Sequence, residues 1–240
     1  MPSLKRPERS ERIDLPARRA LLAAETEVLV VGGGPAGLGA AIGAADAGAR
    51  VVLAERYGVL GGNATAALVM PLMSFHTRSR SAERPGAATL LPTDHGPGEP
   101  IIAGVLKRLL ERLVRAGGAI APSLETGYVV PFDPEWFKLV ALEILDEAGV
   151  QYLLHAFASG VLQAQDSGQV EGAVFETKSG PVAVRARVVV DCTGDADLAV
   201  HAGAPFELGR ADGLAQPMTL MFRMAEFERG AFQDYVREHP

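Results

Sequence analysis

The residues with the clearest chemistry are the six of Gly32-Gly33-Gly34-Pro35-Ala36-Gly37, a G-x-G-x-x-G turn, and a carboxylate one strand further on, Glu55. Glycine at 32 permits a tight exit from a strand. Glycine at 34 leaves bare main chain for a diphosphate, and glycine at 37 lets a following helix lie close to the strand. The amides at that helix start have no partner within the helix. Together with the aligned peptide dipoles they favour negative charge, and Pro35 and Ala36, within the turn, are expected to lie at the cofactor with the glycines. Glu55 is placed to accept hydroxyl hydrogens of an adenosine ribose, which disfavours a 2′-phosphate; Arg56 beside it weakens that exclusion. Gly61-Gly62-Asn63 follows as a second stretch of nearly bare backbone suited to lying beside a cofactor. The glycine spacing alone leaves FAD and NAD both open, so an NAD-dependent dehydrogenase stays as an alternative. The doublet at 61–62 and the long excursion after it lean toward a flavin.

The elements around the turn are those it needs. Glu27 to Val31 is an apolar strand, Leu38 to Ala47 is Ala-rich and helical in propensity, Gly48 is placed to end that helix, and Ala49 to Ala54 is the next strand. Strand, turn, helix and strand in this order form a βαβ unit of fixed handedness. Apolar residues from Ile101 to Val114 recur at helical spacing. Gly127 to Pro131 is a strand candidate, and Asp133 with Pro134 starts a helix carrying Phe137, Val140, Ala141, Ile144 and Leu145 on one face. Val150 to His155, Gly160 to Ala164, Val170 to Thr177, Val182 to Ala186 and Arg187 to Asp191 are strand-like. The turns at Asp166-Ser167-Gly168 and Ser179-Gly180 suggest an antiparallel meander inserted into the α/β unit.

These elements divide the chain into a flexible arm over 1–24, a dinucleotide-binding domain over 25–200, and the opening strands of a substrate or cap domain over 201–240. Within the second, 71–100 is a lid-like loop rich in Pro and Gly, and 159–186 is the meander.

The charge balance is acidic, with 23 basic and 29 acidic residues and a net charge of -6, so no basic stripe is expected to hold nucleic acid. The most apolar run, 28–47, is broken by glycines, Pro35 and Asp46 and is not expected to span a membrane. A single cysteine, Cys192, excludes an internal disulfide and fits a cytoplasmic protein; packing explains it better than catalysis. No metal site is expected, because no set such as H-E-x-x-H or C-x-x-C is present. His76 is the weak candidate for a catalytic base or substrate anchor, and His95, Arg78 and Arg80 are weaker still.

These segments together resemble the two-dinucleotide-binding-domain flavoproteins. More narrowly, they resemble bacterial FAD-dependent oxidoreductases distantly similar to the fumarate reductase flavoprotein and to the tRNA-modifying flavoprotein GidA. The likeness is carried by Val28 to Gly37, by Glu55-Arg56 with Gly61 to Thr65, by Phe132 to Glu135, by Val188 to Asp197, by Ala202 to Glu207, and by Gln216 to Thr219. It implies an α/β, Rossmann-like FAD-binding domain with an inserted antiparallel meander and an incomplete second domain. It places Gly194 and Asp195 beside the FAD, and it implies hydride transfer between an unidentified small organic substrate and the flavin. The family usually carries alanine where this chain has Cys192, and its late cofactor-closing segment has no counterpart here. The chain is therefore expected to be an amino-terminal part, completed by a carboxyl-terminal partner half or as a homo-oligomer. A non-catalytic dinucleotide-binding subunit is the other alternative. RNA-linked work by analogy to GidA is disfavoured by the acidic balance.

Overall fold

The computed structural model describes residues 16–73, 101–123, 126 and 128–239. A six-stranded mixed sheet runs through them. Its strands are β1 (Leu21–Val31), β2 (Val51–Ala54), β3 (Gln151–Leu153), β4 (Phe157–Gln163), β5 (Val170–Thr177) and β6 (Gly180–Asp191), in the spatial order β3-β2-β1-β6-β5-β4. β1 pairs in parallel with both β2 and β6, and β2 pairs in parallel with β3, whereas β4, β5 and β6 pair antiparallel.

The register sets out the working edge. Val31 lies opposite Ala54 on one side and opposite Asp191 on the other, and Ala54 lies opposite Leu153. The chain segments leaving β1, β2, β3 and β6 therefore start at one level. The end of β1, Leu29 to Val31, and all of β2 are buried on both faces, which explains why they read as continuous apolar runs rather than alternating ones.

Three helices cover one face: α1 (Pro35–Asp46), α2 (Val105–Arg115) and α3 (Pro134–Glu147). Leu38, Ala41 and Ile42 of α1, Leu109 and Leu113 of α2, and Phe137, Val140, Ala141, Ile144 and Leu145 of α3 form one core with Val30, Val51 and Leu53. α3 begins as its sequence requires. Pro134 occupies the first turn, where its missing amide costs nothing, directly after the N-cap Asp133. The Asp133 Oδ1 accepts from the amides of Glu135 at 2.7 Å and Trp136 at 3.4 Å.

The other face has a second core. Leu29 and Val31 of β1 and Val52 and Ala54 of β2 share it with Ala173 and Phe175 of β5, Val184 and Ala186 of β6, and Leu198 of α4 (Asp197–His201). The antiparallel strands thus bury the face that the helices leave open.

Several expectations change here. β1 begins at Leu21, inside the segment read as an arm, because Leu21 to Thr26 pair with Val182 to Ala186. Residues 1–15 of that arm lie outside the described residues, as do 74–100 of the lid-like loop. The two runs read as separate strands, Val182 to Ala186 and Arg187 to Asp191, are one strand, β6. The expected antiparallel meander is present as β4, β5 and β6, and its third strand is also a parallel strand of the main sheet. In the region of the expected 127–131 strand only single bridges form among the described residues, Leu72 with Val130 and Ala119 with Phe132. No strand forms among the described residues of 201–239. That segment holds α5 (Arg229–Glu238), and Met218, Leu220, Phe222 and Met224 are exposed because no strand pairs with them.

Phe175→Ala should destabilise the protein by about 3–5 kcal/mol, since Phe175 is fully buried in the second core. Chemical denaturation followed by circular dichroism measures it.

Candidate functional site

A cleft of about 460 Å³ opens at the carboxyl edge of β1, β2 and β6. An open α/β sheet places ligands at such an edge, where the connections leave a central strand in opposite directions. β1 is that strand here, with β2 on one side and β6 on the other.

The glycine turn is held by backbone lying directly on backbone. Gly32 has φ 104°, and a Cβ there would overlap the Cys192 carbonyl oxygen and sit 2.6 Å from its carbon. A Cβ on Gly37 would overlap the Gly32 carbonyl oxygen. A Cβ on Gly62, in the 3₁₀ turn Gly62–Ala64, would come 2.9 Å from the Gly34 Cα. The turn opens α1 without a side-chain cap, with Gly34 as N-cap and no acidic residue in the first turn. The first-turn amides of α1 therefore end at the cleft with no helical acceptor.

Glu55 is buried at 5 % exposure and still lines the cleft. Its Oε2 accepts from the Gly33 amide at 2.5 Å and its Oε1 from the Tyr57 amide at 2.8 Å. A carboxylate has about four acceptor positions, so these two bonds orient it and leave capacity for further donors. Gly33, the variable position of the turn, is thus constrained as well: a Cβ there would meet Leu60 at 2.6 Å and Glu55 Cβ at 3.1 Å.

Gly32, Gly34, Pro35, Ala36, Glu55, Arg56, Gly62, Asn63 and Gly194 all line the cleft. Gly37, Gly61 and Asp195 are not among its lining residues. Gly37 lies beneath the turn, Gly61 packs beside Thr65 and Phe137, and Asp195 is exposed, with Thr193 and Asp197 lining the wall instead. His76, His95, Arg78 and Arg80 lie outside the described residues.

Sequence reasoning missed Tyr57 and Ala156 to Ala158, which also line the cleft. They come together because the Glu55 amide donates to the Leu153 carbonyl at 2.8 Å, the Ala156 amide to the Glu55 carbonyl at 2.9 Å, and the His155 amide to the Tyr57 carbonyl at 3.1 Å. The expected strand at Val150 to His155 held the signal, since a strand parallel to β2 ends beside Glu55. The Arg56 guanidinium lies 4.7 Å from the Tyr57 ring centre, a cation–π contact.

Cys192 lines the cleft half-buried. Burial pushes its thiol pKa up, and the neighbouring Asp191 charge adds to that, so the neutral thiol is favoured. At Asp191 burial opposes the charged form. The hydrogen bonds from the Thr193 hydroxyl and amide and from the Ala199 and Leu198 amides outweigh it and hold the carboxyl below its usual value.

Residues 27–240 match the family described as FAD dependent oxidoreductase. The chain belongs to that family. The match decides between the flavin and nicotinamide alternatives in favour of FAD. This FAD-dependent oxidoreductase family chain is also 32 % identical over 173 residues to digeranylgeranylglycerophospholipid reductase 1 of Methanopyrus kandleri, covering 71 % of this chain and 40 % of that one. It therefore spans less than half the length of that relative. Among solved structures it resembles THI4 of Thermovibrio ammonificans, with TM-score 0.48 and 22 % identity over 74 % of this chain and 61 % of that one. It also resembles the open conformation of a flavocytochrome c3 fumarate reductase, with TM-score 0.43 and 17 % identity over 71 % and 34 %. Among the described residues no helix is long and apolar enough to cross a membrane, and no group of three or more His, Cys, Asp or Glu is arranged to hold a metal.

Because the folded Asp191 carboxyl titrates below its ordinary value, its stabilising contribution is complete above the unfolded value of about 3.9 and is lost as pH falls through the lower folded value. Asp191→Asn should remove that part of the acid dependence, and unfolding midpoints measured between neutral and acidic pH check it.

Proposed function

We propose that this chain holds the ADP moiety of FAD in the cleft at the end of β1 and presents the flavin for hydride exchange with a small organic substrate. The carrying observation is the uncapped amide end of α1 beside bare main chain at Gly32, Gly34 and Gly62, with the oriented Glu55 carboxylate lining the same cleft. The donor set suits the cofactor: amides and a helix dipole for the diphosphate, a carboxylate for the ribose hydroxyls.

In this reading the α1 amides stabilise the diphosphate charge. Glu55 accepts from the adenosine ribose while Gly33 and Tyr57 keep its carboxylate aimed. Gly62 and Asn63 line one side of the bound dinucleotide and Thr193 with Gly194 the other. When bound, FAD supplies two-electron chemistry, taking a hydride from or returning one to the substrate. Completion of the substrate side by a carboxyl-terminal partner half or by a second copy of the chain belongs to the same proposal.

Glu55→Ala should weaken FAD binding by about ten-fold or more, because it removes the ribose acceptor and leaves the Gly33 and Tyr57 amides without their partner. Titration with FAD and NAD, followed by flavin fluorescence and visible absorption, measures it. Folded wild-type protein that takes up neither dinucleotide would overturn the reading.

A further inference from the structure

The cleft wall facing the glycine turn is the segment 192–194, which has no regular structure of its own. Its backbone is tied by the side chain at the end of β6. Asp191 Oδ1 accepts from the Thr193 amide at 3.0 Å and from the Thr193 hydroxyl at 2.7 Å, and Oδ2 accepts from the Ala199 amide at 2.9 Å. The Thr193 hydroxyl, having donated to Asp191, accepts from the Asp197 amide at 3.0 Å.

These two side chains therefore satisfy amides in the first turn of α4, whose own N-cap residue, Ala196, makes no side-chain cap bond. Leu198, buried in the second core, anchors the same turn from beneath. From above, the Cys192-Thr193 peptide abuts Gly32: a Cβ on Gly32 would overlap the Cys192 carbonyl oxygen and lie 3.0 Å from the Thr193 nitrogen. The Cys192 amide donates to the Val31 carbonyl at 2.8 Å. Close packing transmits displacement, so a shift of 192–194 moves one wall of the cleft and presses on the turn at the other.

Asp191 itself is not among the lining residues, whereas Cys192, Thr193 and Gly194 are. We propose that Asp191, acting through Thr193, is a positioning residue that holds the Cys192 to Gly194 backbone in the geometry FAD binding needs. The inference rests on the FAD reading of the cleft.

The test uses full-chain protein with Asp191→Ala, Thr193→Val and Thr193→Ser. FAD affinity is read by fluorescence titration, the bound flavin's environment by visible circular dichroism, and the amides of residues 193–199 by hydrogen exchange in flavin-free protein. Asp191→Ala and Thr193→Val should weaken FAD binding by about ten-fold, since each removes hydrogen bonds to a charged group. Both should change the flavin dichroism and speed exchange at Thr193, Asp197 and Ala199. Thr193→Ser keeps the hydroxyl and should stay close to wild type. If Asp191→Ala does not fold, Asp191→Asn, equal in shape to the native residue and outside the cleft lining, decides the matter by the same readouts. Unchanged affinity and dichroism in Thr193→Val overturn the positioning role alone, as does a Thr193→Ser variant as impaired as Thr193→Val. Folded wild-type protein that takes up no FAD overturns the cleft reading and this inference with it.

Discussion

Main chain packed directly on main chain at the end of β1 is the constraint on which the site depends. The Gly32 α-carbon faces the Cys192 carbonyl, Gly37 faces the Gly32 carbonyl, and Gly62 faces Gly34, each without room for a Cβ. Three connections that leave different strands are thereby brought into one contact. The cleft opens beside this contact, and the amide end of α1 faces into it.

The two sheet faces support that contact in different ways. Helices α1, α2 and α3 pack one face in a continuous apolar core. The antiparallel strands and Leu198 close the other. Because β6 runs through both the antiparallel and the parallel parts, the second core and the cleft wall share one strand, which ends at Asp191. Ion pairs between α2 and its neighbours, Arg108 with Asp46 and Arg112 with Glu147, lie at the surface, where such pairs contribute little. Burial of the apolar faces does most to hold the helices in place.

Polar groups at the site serve by orienting one another. Glu55 faces the cleft because Gly33 and Tyr57 donate to it, and Thr193 is held because Asp191 accepts from it. A carboxylate withdrawn from water needs such donors in place of the water it has lost, at less cost than leaving it unbonded. The same bonds that lower the cost also fix direction, which is what a binding site requires of them.

The sequence by itself determined the βαβ unit, the glycine turn, the Glu55 carboxylate and the Asp133 cap of α3. These depend on short-range rules: strand, turn and helix signals a few residues apart, with one carboxylate at the end of the next strand. Only the tertiary structure decided that Gly33 anchors Glu55, that Tyr57 and Ala156 to Ala158 complete the cleft, and that Asp195 stands outside it. It also joined two apolar runs into the single strand β6 and left Pro217 to Met224 without a strand partner. Those outcomes turn on which segments the fold brings side by side, such as Val31 against Asp191, and local residue preference carries no information about which distant strand is adjacent.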